Sequence, residues 1–438
     1  MINNIIVRLS IWSTLLLAFF WQASTVSAQE VSLEQLSLSS AYEYLEGRYP
    51  ALQNEDLWRR ILAEQSAKIQ AESKPSLYWK TDARLQSESI QLEQPEGSTF
   101  PLEINQPLVT AQTYLEGNYL LLDGGLEDAR QTALAAETAV QLQQVEVDRF
   151  QLQERVNQLF LRFSSLRSQA ALFEFSLTDI TSRIEQAQAA VDNGVLLPSE
   201  LSKLQVREKE LLAQQSSIEY QIEGTRKSLE DLLGVALNPE VELVYPTLPD
   251  ALALPTIDRP EHELFRRQQT AILAQEALID VDKRPKLNLF AQAGVGYPNP
   301  LNLLDSDPAP YALVGAGLSW KLLDWKKSER EKEILTLQAL QVQNQQATFD
   351  FNLQQQEANY RAEIQRLRAQ MQSDQEIIEL RAIILEQSAA QLEEGVITTA
   401  EYLSQSTAEL SARQQLNIHE IQLLQLQLNF WNTRGGQQ

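Results

Sequence analysis

The stretch Leu126–Asn193, LEDARQTALAAETAVQLQQVEVDRFQLQERVNQLFLRFSSLRSQAALFEFSLTDITSRIEQAQAAVDN, runs for 68 residues without Gly or Pro. Those two residues most readily break a helix, so their absence permits one unbroken rod of roughly 100 Å at 1.5 Å per residue. Apolar residues recur along it in steps of three and four: Leu142, Val145, Leu152, Val156, Leu159, Phe163, Leu166, Ala170, Phe173, Leu177, Ile180, Ile184, Ala187 and Val191, with only Arg149 interrupting. A period of 3.5 requires a supercoiled partner, because a straight helix would rotate such a seam out of contact. A second run of 69 residues, Lys326–Glu394, also lacks Gly and Pro and carries a looser seam through Leu353, Tyr360, Leu367 and through Ile364, Met371, Ile378, Leu385, Leu392.

Composition narrows the class. Of 438 residues 43% are hydrophobic, mostly Leu, Ala, Ile and Val scattered at helical period among Gln and Glu, which favours long helices over a thick globular core. Lys and Arg total 36 against 59 Asp and Glu, a net charge of −23, so phosphate-rich nucleic acid is a poor partner. Arg8, the apolar run Leu9–Trp21 and the small residues Val26-Ser27-Ala28 before Gln29 read as a secretory signal peptide over 1–28. Without any Cys the chain has no disulfide or thiolate metal site, and packing must supply its stability.

The two rods belong to a duplication. Pro50 and Pro75 recur as Pro260 and Pro285, both 210 residues on, while Asp123, Gly194 and Gly234 correspond to Asp324, Gly395 and Gly435, each 201 residues on. The nine-residue difference arises between Pro75 and Asp123, where the first copy carries a longer insertion. Constant offsets of this kind are the mark of a tandem repeat. The division expected is a first repeat over 29–234, a Pro-rich linker over 235–258 with a short strand near Val241–Tyr245, and a second repeat over 259–438. In the first, strands fall at about 76–88 and 108–121, a long helix at 124–191 and a return helix at 199–233. The second has strands at 286–297 and 311–322, a long helix at 325–392 and a return helix at 399–434. Each strand is about ten residues with period two, the weak signature of a transmembrane β-strand.

Four strands cannot close into a lipid-spanning barrel, and an open edge would strand N–H and C=O groups in hydrocarbon at several kcal/mol each. Other copies must complete the wall; three copies would give twelve strands with room for a passage. Trp79, Tyr119 and Trp320 fall near the strand ends that join helices, where an interfacial aromatic girdle would lie. At the far end of each rod the chain reverses through Asp192-Asn193-Gly194-Val195-Leu196-Leu197-Pro198-Ser199 and Glu393-Glu394-Gly395-Val396-Ile397-Thr398-Thr399. There Gly194 and Gly395 suit a left-handed helix end, and Ser199 or Thr398 can cap the next helix.

These features together resemble the TolC-like outer-membrane efflux family. The resemblance rests on Leu121-Leu122-Asp123-Gly124-Gly125, Asn193-Gly194-Val195 with Glu200-Leu201, Leu232-Leu233-Gly234, and Gly395-Val396-Ile397-Thr398-Thr399-Ala400-Glu401-Tyr402-Leu403, and spans about Ser32 to Gly435. It implies a mainly α fold with transmembrane β: duplicated antiparallel helical hairpins forming an α-barrel, and four strands per chain contributing to a trimeric twelve-stranded barrel in the outer membrane of a Gram-negative bacterium. It further implies a periplasmic adaptor (membrane fusion protein) and an inner-membrane transporter of RND or ABC type as partners, besides outer-membrane lipid. Gly194, Val195, Leu196, Gly395, Val396 and Ile397 become the adaptor-facing tip. Glu200 and Glu401, with Asp192 and Glu394, become the tip carboxylates that a threefold assembly would arrange as a cation-favouring ring. Some relatives latch the tip with an aromatic three residues before the second Gly and a base two after it; Leu392 and Ile397 stand there instead, and Ser404 replaces a second acidic residue.

Catalytic signals are weak. The only histidines, His262 and His419, stand far apart without Cys, Gly294-Val295-Gly296 and Gly315-Ala316-Gly317 lie within strands, and Met371 is the sole methionine after the signal. No cofactor, metal site or enzymatic activity is expected. The alternative to an exit duct of an efflux or type I secretion system is a secreted or periplasmic coiled-coil scaffold or adhesin whose strands merely join helices.

Overall fold

The computed structural model describes residues 33–88, 107–244, 259–302 and 305–436. The expected signal peptide, most of residues 93–107 and the 245–258 part of the expected linker lie outside them. The Leu126–Asn193 stretch forms one helix, α3 (Leu126–Asp192, 67 residues). Its start has no side-chain cap from Gly125; instead the Asp123 carboxylate accepts the N–H groups of Gly125 and Glu127, both at 2.8 Å. Glu127 and Asp128 in the first turn add favourable charge near the positive helix end. After the turn at Asn193–Leu197 the chain returns as α4 (Pro198–Leu233), with Pro in the first turn, where its missing N–H costs nothing.

The two helices zip at seven-residue spacing. Leu166, Phe173, Ile180 and Ala187 of α3 and Leu204, Leu211 and Ile218 of α4 are all buried, and most of them share one apolar cluster running toward the turn. That is the knobs-into-holes contact a 3.5 period demands. The other end of the hairpin is thicker. There Val156, Phe160 and Phe163 meet Leu229 and Leu233, together with α1 (Leu38–Arg48), through Leu38, Ala41 and Leu45. Strand β1 (Leu33–Ser37) pairs in parallel with β4 (Leu237–Val244) over the same cluster. Phe160 and Phe163 are fully buried, so truncating either to Ala would cost about 3–5 kcal/mol.

The second hairpin, α7 (Lys327–Glu393, 67 residues) and α8 (Thr399–Thr433), has a thinner seam in which Ile364, Leu367, Leu428 and Phe430 are buried. Several apolar residues of α7, among them Ile377, Leu380 and Ile384, stay exposed. Helix α2 (Asn54–Glu72) packs on α3, while α5 (Pro260–Ala274) lies against both α3 and α7, followed by the short α6 (Glu276–Val281). Beyond these helices stands an antiparallel sheet of β2 (Ser76–Leu85), β3 (Val109–Leu122), β5 (Lys286–Tyr297) and β6 (Ala309–Ser319), in the order β2-β3-β5-β6. All four strand ends that join helices lie on one rim, so the sheet caps one end of the helical rods.

Candidate functional site

The sheet register sorts its side chains onto two faces of opposite chemistry. Leu77, Trp79, Thr81, Ala83 and Leu85 of β2 stand opposite Gly117, Leu115, Thr113, Ala111 and Val109 of β3. The same face continues through Val295, Ala293, Ala291 and Leu289 of β5 to Pro310, Ala312, Val314 and Ala316 of β6, with no charged residue among them. Behind it lie Lys80, Asp82, Gln112, Tyr114, Glu116, Asn118 and Gln292. Lys80 donates to Glu116 at 2.8 Å, Gln292 to Glu116 at 3.0 Å and Tyr114 to Asp82 at 3.1 Å.

Exposure is the reverse of that in a water-soluble sheet. Val314 is 84% and Leu85 80% exposed on the apolar face, whereas Tyr311 on the polar face is only 7% exposed. Exposure alternates in the same sense over residues 109–116 of β3, 290–297 of β5 and 309–316 of β6, while β2 at the open edge is exposed on both faces. Side chains crowd on a concave face and splay on a convex one, so the polar face is the inner one. At 10 to 14 residues the strands are long enough to cross a bilayer at a tilt. β2 and β6 each have a single ladder partner among the described residues, leaving both edges open. Of the three aromatics expected at a membrane interface, Trp79 is exposed on the apolar face with its indole N–H on Thr113 (2.8 Å), Tyr119 is half-buried, and Trp320 donates to the Lys283 carbonyl at 3.0 Å. Among the described residues no helix is long and apolar enough to cross a membrane.

The opposite end is formed by the two hairpin turns, which have matching geometry. Gly194 and Gly395 are left-handed, with φ of 71° and 72°. The N–H groups of Val195 and Val396 reach back to the carbonyls of Ala190 and Gln391, at 2.9 and 2.8 Å. Such a turn satisfies carbonyls left over at a helix end and pushes the following residue outward. Val195 and Val396 are accordingly exposed, while Leu196 and Ile397 are half-buried beside them. Asp192 and Glu394 are exposed at the same level, Asp192 accepting from Gln188.

Glu200 and Glu401 occupy equivalent places in sequence and different ones in space. Glu401 forms a reciprocal cap with Thr398: its carboxylate takes the Thr398 N–H at 2.8 Å while its own N–H meets the Thr398 hydroxyl at 3.3 Å. Glu200 accepts from Lys203 at 2.7 Å and lies against Thr399 of α8, so the two hairpins meet through it. The Lys203 ammonium, and after it Thr399, hold its carboxyl below the usual range.

A polar cluster absent from the sequence reading ties the hairpins together farther up. Tyr402, fully buried on α8, donates its phenol to Asp179 of α3 at 2.6 Å. Arg183 lies 5.2 Å from the Tyr402 ring centre and bonds Glu393 of α7 at 3.0 Å. Burial, and then the neighbouring Asp179, push the phenol above its ordinary range, so it remains a donor. The signal available in sequence was the Asp179–Arg183 pair at i, i+4 on the long rod.

The two histidines bond separate aspartates of α7, His262 to Asp350 (2.7 Å) and His419 to Asp374 (2.5 Å). Among the described residues no three His, Cys, Asp or Glu side chains gather as a metal site would require.

No known sequence family and no curated relative matches the sequence. Solved structures do. The outer-membrane protein VceC from Vibrio cholerae superposes with a TM-score of 0.65 at 15% identity, over 91% of this chain and 96% of its own. CusC, described as forming a transmembrane channel, superposes at 0.67 and 12% identity over 92% and 94%. The open state of the Neisseria gonorrhoeae outer-membrane channel MtrE gives 0.63 at 13%, over 91% and 89%. At these identities the likeness is one of fold. The chain has the mainly helical fold of outer-membrane channels, with long hairpins and a small sheet.

Proposed function

We propose that this chain is one subunit of a TolC-like outer-membrane channel, a passive exit duct for cargo delivered across the periplasm of a Gram-negative bacterium. The carrying observation is the inside-out sheet: an exposed, charge-free convex face backed by a shielded polar one, open at both edges. Water would oppose that arrangement, whereas hydrocarbon outside and an aqueous passage inside favour it. Closure of the edges by sister copies gives a trimer with a twelve-stranded barrel, and the hairpins extend it into a helical tube. The tandem division at 29–234, 235–258 and 259–438 then makes each half one strand pair plus one hairpin.

The turns at Gly194-Val195-Leu196 and Gly395-Val396-Ile397 are the surface for a periplasmic adaptor working with an RND or ABC transporter. Exposed valines on rigid left-handed turns suit knob-like contacts there. Asp192, Glu200, Glu394 and Glu401, repeated threefold, make the entrance acidic and favour cations. The duct carries out no chemistry itself. Cell fractionation tests this reading: an outer-membrane pool that runs as a heat-labile trimer supports it. A pool soluble without detergent would instead support the coiled-coil scaffold.

A further inference from the structure

Trp325 and Lys326 are the only non-glycine residues with left-handed backbones among the described residues, at φ of 53° and 63°. Their counterparts one repeat earlier are Gly124 and Gly125, at 71° and 86°. Both turns do the same work. Asp123 accepts the N–H groups of Gly125 and Glu127, and Asp324 those of Lys326 and Ser328, at 3.1 and 3.3 Å. Glycine meets that geometry without steric penalty, and a side chain does not. Strain retained at one of two equivalent turns points to what the side chains do.

Inside the chain they do little. Trp325 is 82% exposed, no hydrogen bond to its indole is found among the described residues, and Lys326 has no ion-pair partner there. Around them Trp320, Leu322 and Leu323 are also exposed, continuing the apolar face of β6 past Leu318. The second-repeat part of this rim is basic in an acidic protein, whereas the first-repeat part, with Glu72, Asp123, Glu127 and Asp128 against Lys74, is acidic. Segments 280–286 and 320–327 contain Lys283, Arg284, Lys286, Lys321, Lys326 and Lys327 against Asp280, Asp282 and Asp324, six cations to three carboxylates. All but one already have partners: Lys321 and Lys286 pair with Asp282 at 2.9 and 3.7 Å, Lys283 with Asp324 at 3.7 Å and Lys327 with Glu331 at 3.4 Å, while Arg284 donates to the Gly124 carbonyl at 3.0 Å, which leaves Lys326 available.

We infer that this rim is a binding surface for the headgroups of anionic phospholipids in the leaflet on the helical side of the membrane. Trp325 lies at the headgroup level and Lys326 contacts phosphate. Indole rings favour that depth, and a lysine near an anionic surface strengthens binding about fivefold. The inference rests on the barrel reading of the sheet and specifies which outer-membrane lipids it binds and through which residues.

The test compares the full-length trimer with the Trp325→Gly/Lys326→Gly variant, which restores the glycine pair of the first repeat and relieves the strain. Both are reconstituted in phosphatidylcholine vesicles with and without phosphatidylglycerol. Phosphatidylglycerol is expected to raise the temperature at which the wild-type trimer dissociates, and to leave the variant unchanged while its dissociation in pure phosphatidylcholine stays at or above the wild-type value. Phosphatidylcholine brominated next to the headgroup should quench a component of wild-type fluorescence that the variant lacks. Lys326→Asn, compatible with a left-handed backbone, should lose the phosphatidylglycerol effect and keep the quenching. Equal lipid dependence in all three proteins overturns the inference while leaving the barrel intact; a wild type that enters neither vesicle overturns the barrel reading itself.

Discussion

Replacing Tyr402 by Phe removes the hydroxyl that joins the two hairpins. The ring stays 5.2 Å from Arg183, while the O–H to Asp179 (2.6 Å) is lost together with the phenol oxygen's weaker contact with the Arg183 side chain. The acceptor is a carboxylate and the donor is fully buried, and hydrogen bonds to charged groups contribute about 1.5–3 kcal/mol. If that energy holds the start of α8 to α3, local opening there should become roughly 10- to 150-fold more frequent, since 1.4 kcal/mol is a factor of ten. Amide hydrogen exchange on the purified protein reads this directly: amides from Leu403 to Leu410 should exchange faster by that factor, while those of the strands stay unchanged. Asp179→Asn should act in the same direction and more weakly, because an amide oxygen still accepts. Unchanged exchange in Tyr402→Phe would refute the view that this bond couples the hairpins.

Other consequences are equally open to measurement. Val314→Arg places a charge on the outer face of β6 and should cost about 2–4 kcal/mol near the bilayer midplane, emptying the membrane pool on fractionation; Gln292→Lys, on the inner face beside Glu116, should leave it intact. Glu401→Gln removes a charge yet keeps the cap with Thr398, since Gln serves at that position, so single-channel recordings should show a lower cation preference with an unchanged helix content. The Asp324 carboxyl, brought to about 2 from 3.8 by the Ser328 hydroxyl first and then backbone N–H groups, stabilises the start of α7 only while ionised. Because its folded value lies below its unfolded one, that contribution is complete above about pH 4 and disappears as pH falls toward 2. Amide protection at Ser328–Lys332 should follow that course, and Ser328→Ala should move the loss to higher pH.

Much of this architecture was legible because it is written in long-range regularities. Two runs free of Gly and Pro and a seven-residue apolar spacing specify paired rods whatever their neighbours do, and alternation over ten residues specifies a two-faced strand. Contacts that depend on how one rod is rotated against another left no such trace. Tyr402 and Asp179 are 223 residues apart, and only the supercoil of both hairpins brings them together. Glu401 shows a subtler limit. Thr398-Thr399-Ala400-Glu401 is a capping box in sequence as well as in space, yet its place after a turn glycine also fitted a ring of tip carboxylates, and spacing cannot say which role a carboxylate takes. Trp325 was visible as the counterpart of Gly124, but its strain appears only once the backbone is known.

The exposed surfaces of the single chain converge on one explanation. Across the sheet the open edges are β2 and β6. Across the helices, α3 contacts α4 and α8, α4 also touches α8, and α8 contacts α7, which leaves the far sides of α4 and α7 as the flanks. Exposed apolar side chains mark both flanks, Val206 and Tyr220 on α4, Ile377 and Leu380 on α7. Strand β6 leads into α7, so an open sheet edge and an open helical flank fall on the same side of the chain. Two different flanks that complement one another make a head-to-tail contact, which closes into a ring when the rotation per copy divides a full turn. In the proposed assembly one rotation would pair β6 of one copy with β2 of the next and seat α7 beside α4. Helical packing and strand pairing would be coupled in such a ring, so substitutions on the α4 or α7 flank should change the number of copies in the proposed barrel.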